Sequence, residues 1–294
     1  MNGTLSGFIA LLIWSTTAAL IGLVGRLPPL EVTAFTWLIA SLSLAGFFMA
    51  KGENIWLYVR RPLSDYLFVT LSMGIYTALY YMAFKYAPAF EANTLNYLWP
   101  IFLMLFISLF QKAPVTIFTI SGMIFGFFGS LLLFLTHSEG ASFGTFNIGH
   151  IMAIGASIIW ALYSCFSRNK RYPVGFLIPV FIISGIGTFA CHFLFENWVT
   201  PGPAEWGVIF LLGFARLGYA FWDYGMRHGN QVLVTSASYF TPLSSTLILI
   251  LFGFGTTNPA IACAAALIIA GCLIVNGDKI KNAFLKFRPG QLKP

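Results

Sequence analysis

Residues 85–110 read K-Y-A-P-A-F-E-A-N-T-L-N-Y-L-W-P-I-F-L-M-L-F-I-S-L-F, and residues 227–252 read R-H-G-N-Q-V-L-V-T-S-A-S-Y-F-T-P-L-S-S-T-L-I-L-I-L-F. Each stretch begins with a basic residue, continues with a polar and aromatic half, reaches a proline and ends in an apolar half. The two stretches therefore read as copies of one structural unit.

A single shift in register places Tyr97 on Tyr239 and Pro100 on Pro242. A proline inside a helix removes one backbone hydrogen bond and clashes with the preceding turn, which costs ~3 kcal/mol. Two prolines at matched positions predict a duplicated architecture whose helices are weakened near its centre. We expect Pro100 and Pro242 to act as hinges.

The composition is that of an integral membrane protein. Hydrophobic residues make up 58% of the chain and charged residues only 9%, whereas a soluble domain carries roughly 25% charged residues. Apolar runs of about 20 residues, each long enough to span a bilayer, recur along the chain. Because the strand alternation of an outer-membrane barrel is absent, we predict an all-α membrane protein.

Ten transmembrane helices are predicted, and together they account for nearly the whole chain. They cover residues 4–23, 30–50, 65–84, 90–110, 115–136, 148–167, 174–195, 206–226, 231–254 and 258–276. The four cysteines lie inside apolar runs, and no metal-ligand or nucleotide-binding motif is present. We therefore expect no metal, no cofactor and no disulfide framework.

Basic residues predict the orientation of the chain in the membrane. The loops and tail on one side hold nearly all Lys and Arg residues, whereas the other side holds only Arg26 and Lys85. This asymmetry predicts that both termini are cytoplasmic. The net charge of +7 is explained by these loops, so it does not indicate a nucleic-acid partner.

Five spans in each half force the second half to enter the membrane from the opposite side. The sequence thus predicts two inverted five-helix repeats around a central cavity, a common plan among secondary transporters. The predicted repeats are residues 1–136 and 137–277, followed by a basic cytoplasmic tail at 278–294. A weaker echo pairs Ile13-Trp14 with Ile159-Trp160.

Polar and aromatic side chains well inside the spans are candidates for lining a substrate cavity. In the fourth span, Asn93 and Tyr97 share a helical face with Pro100, and Asn96 and Trp99 flank it. Amides in hydrocarbon need partners, so this face either joins helices or lines a wet cavity. The candidate substrate-binding residues are Tyr76, Tyr80, Asn93, Asn96, Tyr97, Trp99, Trp160 and Tyr239.

Arg216 is the one basic residue deep in a predicted span, where an arginine costs ~2.5–3.5 kcal/mol to insert. Asp223 follows seven residues later on the same face, about 10 Å along the helix, so the two are not obviously paired. Both are candidates for a gate or a polar anchor, and Arg216 also for a contact with a substrate carboxylate.

These residues resemble the EamA-type drug/metabolite transporter superfamily, above all in K-Y-A-P-A-F-E-A-N-T-L-N-Y-L-W-P and S-Y-F-T-P-L-S-S-T-L. The resemblance implies a central cavity surrounded by spans three and four with their partners eight and nine. It also implies export of metabolites from bacteria across the inner membrane, and the aromatic content of the cavity is similar to that of the aromatic amino acid exporters in the superfamily.

The predicted function is therefore alternating-access export of aromatic and other amino acids by a secondary transporter that is not an enzyme. Export of cationic drugs or other metabolites is the alternative, because aromatic walls also attract cations. A membrane-embedded enzyme and a channel are weaker hypotheses. The expected partners are a small-molecule substrate and the lipid bilayer, and the oligomeric state stays open.

Overall fold

A computed structural model of the protein describes residues 2–87, 89–112, 116–136, 146–251 and 259–286. Over these residues the regular structure is helical, with no strand. The first half contains α1 to α7: Gly3–Gly22, Pro29–Ala50, Trp56–Val59, Leu63–Tyr86, Ala89–Asn96, Trp99–Gln111 and Ile117–Thr136. The second half contains α8 to α14: Ile148–Ser167, Leu177–Phe195, Pro203–Ala215, Gly218–His228, Gln231–Ala237, Phe240–Leu251 and Pro259–Lys286.

Every predicted span overlaps a helix, but fewer than ten segments meet the length and hydropathy expected of a membrane span. Within the described residues seven do: Gly3–Gly22, Pro29–Ala50, Glu91–Gln111, Ile117–Leu135, Ile148–Ser167, Val174–Phe195 and Pro203–His228. A shorter apolar helix covers Pro259–Val275. The chain is therefore an all-helical, multi-pass membrane protein.

Two predicted spans are interrupted directly before their prolines. The fourth span breaks between α5 and α6, and Pro100 is the second residue of α6. The ninth span breaks between α12 and α13, where the Ser238 carbonyl accepts from Thr241 N–H at 3.0 Å. Pro242 has no N–H with which to bond that carbonyl, so the helix restarts there.

A third interruption has no proline. The predicted eighth span consists of α10 and α11, which meet at Arg216 and Leu217. Gly218 begins α11 with its Cα against the Trp14 indole, where an added Cβ would lie 2.6 Å from Nε1. This approach requires glycine and places α11 directly on α1.

The main helix contacts join the two halves of the chain. α7 packs along α14, α2 along α9, α4 along α8, and α1 along α11. Additional contacts join α6 to α8 and α1 to α13. The core is therefore built between the halves.

Glycines allow the closest of these contacts. A Cβ added at Gly122 of α7 would collide with the Gly271 carbonyl of α14, and one added at Gly271 would collide with the Gly122 carbonyl. Gly126 lies one turn further along α7, against the Tyr239 ring. The small-residue stripe on α7 thus serves a contact inside the chain.

The loops meet at two ends of the helix bundle. At the basic end, Arg61 donates to the Arg171 carbonyl at 3.1 Å and Lys170 pairs with Asp65 at 3.2 Å. At the opposite end, Arg26 pairs with Glu205. The site described next lies between these ends.

Candidate functional site

A cluster of aromatic rings, the aromatic cluster, occupies the middle of the bundle. It draws on six helices, because successive rings along the chain belong to α1, α2, α4, α6, α8 and α11. Its members are Trp14, Trp37, Tyr76, Tyr80, Trp99, Trp160, Tyr219 and Trp222. Rings from elements this far apart in sequence meet here through tertiary packing alone.

Trp160 is the centre of the aromatic cluster. Its ring centroid lies 5.3 Å from Tyr76, 5.6 Å from Tyr219, 5.9 Å from Trp14 and 6.1 Å from Trp222. These separations fall within the 4.5–7 Å range of favourable aromatic pairs, each of which adds about 0.5–1.5 kcal/mol beyond area burial. The Trp160 side chain therefore fixes the positions of rings from several helices.

Most predicted site residues lie in the aromatic cluster or beside it. Tyr76 and Tyr80 of α4 stack with centroids 5.7 Å apart and an interplanar angle of 10°. The Tyr80 hydroxyl donates to Asn93 Oδ1 at 2.8 Å, and the Asn96 amide lies at the Tyr76 hydroxyl. Both amides of α5 thus contact tyrosines of α4.

Trp99 lies at the edge of the aromatic cluster, and Tyr97 and Tyr239 have their ring contacts outside it. Trp99 meets the cluster edge-on through Trp222, with centroids 5.3 Å apart. The Tyr97 ring lies 5.3 Å from Phe134 of α7. Tyr239 is 1% exposed and its ring packs on Gly126, away from the aromatic cluster.

Four members of the cluster were not predicted as site residues: Trp14, Trp37, Tyr219 and Trp222. Trp14 carried a usable signal, because the Ile13-Trp14 pair echoes Ile159-Trp160, and the two indoles lie 5.9 Å apart. Tyr219 follows Arg216 by one helical turn, so it shares the face of that arginine.

Arg216 lies where α10 ends, with its guanidinium half-buried beside the aromatic cluster. Its Cζ lies 4.4 Å from the Trp37 ring centroid and 5.8 Å from that of Tyr219. The Nε donates to Thr36 Oγ1 at 3.1 Å. Stacking on Trp37 and this hydrogen bond hold the guanidinium in one orientation.

Asp223 has a different environment, in which it is fully buried and paired with Arg227. The Arg227 Nη2 and the Asp223 Oδ2 are 2.6 Å apart, and Arg227 Nε donates to the same oxygen at 2.8 Å. Hydroxyls of Tyr163 and Tyr172 donate to Oδ1 at 2.9 and 2.8 Å. Asp223 therefore accepts hydrogen bonds from three side chains.

Tyr172 belongs to the loop before α9, outside the spans. Burial raises the pKa of its phenol, and the neighbouring Asp223 charge raises this pKa further. The hydroxyl consequently stays protonated and available as a donor to the carboxylate.

Two buried carboxylate–imidazole contacts lie near the opposite end of the bundle. Glu91 is 1% exposed and bonded to His150. His192 is fully buried, and its Nδ1 lies 2.9 Å from Glu196 Oε2, at the end of the same helix.

Glu31 and Glu196 also tie this end together through the backbone. Glu196 accepts from the Leu30 N–H at 3.1 Å, at the start of α2. Glu31 accepts from the Val199 N–H at 3.0 Å. A carboxylate at a helix N-terminus satisfies orphan donors and complements the helix dipole. Among the described residues, no group of three or more His, Cys, Asp or Glu side chains forms a metal site.

The family model described as "EamA-like transporter family" matches residues 1–135 and 147–277. The chain belongs to the EamA-like transporter family. It is therefore a transporter and not an enzyme. This agrees with the family resemblance of the two repeated stretches.

Curated relatives in this family carry the name "Aromatic amino acid exporter YddG". The protein of that name from Ancylobacter novellus is 32% identical over 281 residues, covering 93% of this chain and 96% of its own length. Those from Escherichia coli and Salmonella typhimurium are 31% and 29% identical, covering 85% and 84% of this chain and 88% and 87% of their own lengths. A solved crystal structure matches with a TM-score of 0.87 at 32% identity, covering 92% of this chain and 95% of its own.

Proposed function

We propose that this EamA-like transporter exports aromatic and other amino acids across the bacterial inner membrane. It is a secondary transporter that works by alternating access. The curated relatives' shared name supports the substrate class. The residues of the aromatic cluster support it independently.

The observation that carries the proposal is the aromatic cluster itself. Its half-buried members Trp14, Tyr76 and Tyr219 come from three separate helices and surround the Trp160 indole, and the half-buried Tyr80 stacks on Tyr76. An aromatic side chain entering among them gains ring contacts of about 0.5–1.5 kcal/mol each beyond area burial. The Asn96 Oδ1 is buried without a hydrogen-bond partner in the described part of the chain, so it is free to accept from a substrate ammonium.

The helix contacts support an arrangement of ten spans as two inverted repeats. Exchanging each span for its counterpart five spans later turns the α1–α11 contact into the α8–α4 contact, and α6–α8 into α13–α1. The α2–α9 and α7–α14 contacts map onto themselves. We place the repeat boundaries at residues 136 and 277, which agrees with the two matched stretches of the family model.

Pro100 and Pro242 are the proposed hinges. Both are buried and follow helix interruptions at equivalent positions of the two repeats. Alternating access moves one repeat against the other, and a helix that already lacks a backbone hydrogen bond bends there at little cost. The basic end is proposed to face the cytoplasm, because the chain's basic loops gather there.

Export of aromatic cationic drugs is the competing function. The aromatic cluster favours it, because rings attract cations by about 0.5–2 kcal/mol. The Arg216 guanidinium opposes it, since it lies 4.4 Å from one of the same rings and repels a second cation. A zwitterionic amino acid suits both the rings, which attract its ammonium, and the Arg216 guanidinium, which attracts its carboxylate.

The proposal is tested with purified protein in liposomes. Labelled phenylalanine should enter vesicles preloaded with unlabelled phenylalanine, and outside phenylalanine, tyrosine and tryptophan should compete better than alanine or glutamate. Trp160→Ala and Tyr97→Ala should weaken aromatic transport more than transport of small neutral amino acids. Cys191→Ala, an exposed position, is the control. Equal loss of all substrates in both variants would make the rings structural and reject the aromatic site.

A further inference from the structure

Arg216 has no counter-charge among the described residues, whereas Arg227 of the same segment pairs with Asp223. The Arg216 Nε is bonded to Thr36, and its two terminal nitrogens make no hydrogen bond to the described part of the protein. Neither nitrogen is among the buried side-chain atoms that lack a hydrogen-bond partner, so both are accessible to solvent. The guanidinium therefore presents a free fork of N–H donors.

The protein offers no carboxylate to fill this position. None of the carboxylates whose side chains the structure describes pairs with Arg216, and each contacts another group: Glu31 contacts Val199 N–H, Glu53 Tyr58, Asp65 Lys170, Glu91 His150, Glu196 His192, Glu205 Arg26, and Asp223 Arg227. An uncompensated arginine inside a membrane protein is expensive. An ionisable residue inside a membrane protein is by default a candidate functional site, and an arginine without a counter-charge suits an anion from solution.

The guanidinium is also held in place before any ligand binds. The Thr36 hydroxyl accepts from Arg216 Nε and donates to the Thr33 carbonyl at 2.8 Å, which fixes its direction. Trp37 covers one face of the guanidinium plane at 4.4 Å. A planar, oriented guanidinium binds a carboxylate through two parallel N–H···O bonds, a geometry that lysine cannot reproduce.

We propose that Arg216 receives the carboxylate of the exported amino acid. The inference rests on the proposed function and adds a specificity-determining residue to it. Tyr219 lies against both Arg216 and Trp160, so a ligand whose carboxylate reaches Arg216 has its ring beside Trp160. The unpartnered Asn96 Oδ1 beside Tyr76 takes the ammonium.

The test compares phenylalanine with L-phenylalaninamide, which keeps the ring and ammonium but lacks the carboxylate. Each unlabelled compound competes against labelled phenylalanine in liposomes containing the wild-type protein. Phenylalanine should compete on the order of tenfold better than the amide, as expected for a charge-assisted bidentate contact. This comparison needs no variant, so it does not depend on the folding of a mutant.

Arg216→Gln should lose on the order of tenfold in phenylalanine affinity while affinity for the amide stays unchanged. Arg216→Lys should show only part of the wild-type preference for phenylalanine over the amide. Arg26→Gln, which removes an exposed arginine at the opposite end, is the matched control and should retain wild-type selectivity. The affinity of each variant for phenylalanine and for the amide is measured by quenching of tryptophan fluorescence.

Two outcomes would overturn the inference. Equal competition by phenylalanine and its amide in the wild-type protein would show that the carboxylate is not recognised. Equal loss of both compounds in Arg216→Gln would show a structural role. In either case the proposed export of aromatic amino acids would stand, whereas a wild-type protein that carries no aromatic amino acid would reject the export proposal itself.

Discussion

Arg216 and Arg227 both lie in the helical segment Pro203–His228, about three turns apart, yet they have opposite surroundings. Arg227 is buried against Asp223 and two tyrosines bond the same carboxylate. Arg216 is half-buried, rests on a tryptophan and has no acidic partner among the described residues. From this difference we propose that a charge in a membrane-spanning segment serves stability where it has a buried counter-charge and can meet a ligand where it has none.

The largest effect should follow from breaking the complete network. Asp223→Ala leaves the Arg227 charge buried and removes the acceptor of the Tyr163 and Tyr172 hydroxyls. Removing one partner of a buried ion pair costs about 3–5 kcal/mol. We expect a marked fall in the melting temperature of the detergent-solubilised protein. This temperature is measured by size-exclusion chromatography after heating.

Asp65→Ala is the matched control, because the Asp65–Lys170 pair is partly exposed at the basic end. Exposed pairs contribute about 0–1 kcal/mol. A shift as small for Asp223→Ala as for Asp65→Ala would show that the buried network is not structural.

The proline interruptions should produce an intermediate effect on transport rate alone. Pro100→Ala and Pro242→Ala restore an N–H donor at the start of α6 and α13, so the helices straighten and the melting temperature stays unchanged or rises. Phenylalanine transport should slow several-fold in liposomes. Pro29→Ala, in the first helical position of the intact α2, provides the control. Unchanged transport in both proline variants would assign these residues to packing.

The smallest effect should come from loosening Arg216 without removing it. Thr36→Val deletes the acceptor of the Arg216 Nε, a loss of about 1 kcal/mol. Phenylalanine affinity should fall by less than about tenfold, while affinity for L-phenylalaninamide stays the same. Thr188→Val, whose hydroxyl bonds the Ser184 carbonyl within α9, is the control. A change in the affinity for both ligands would indicate a disturbance of α2 instead.

The helices could be predicted from the sequence, because hydropathy and the positions of prolines are local properties of the chain. Residues 97–98 and 238–239 interrupt helices at the positions that Pro100 and Pro242 predict. The interruption at Arg216 was not predicted, since no proline lies there. It depends on the packing of α11 against α1 at Gly218, which no local rule reveals.

The candidate site was predictable only in part. Tyr76, Tyr80 and Trp160 are far from the ends of their spans, so an interfacial role explained them poorly and a role inside the bundle was expected. Trp37 lies on α2, which shows no clear amphipathic pattern. Trp222 lies on α11, which carries several other polar residues. Most of their ring contacts join residues more than a hundred positions apart, and such contacts depend on which helices pack together.

The most direct test of the account places one substitution at both arginines. Arg216→Met and Arg227→Met are purified in parallel, and each is measured for melting temperature and for phenylalanine exchange in liposomes. We expect Arg227→Met to lose stability by about 3–5 kcal/mol because it strands Asp223. Arg216→Met should keep its melting temperature and lose most phenylalanine exchange. A destabilised Arg216→Met, or an Arg216→Met that exchanges phenylalanine as the wild type does, would contradict the account.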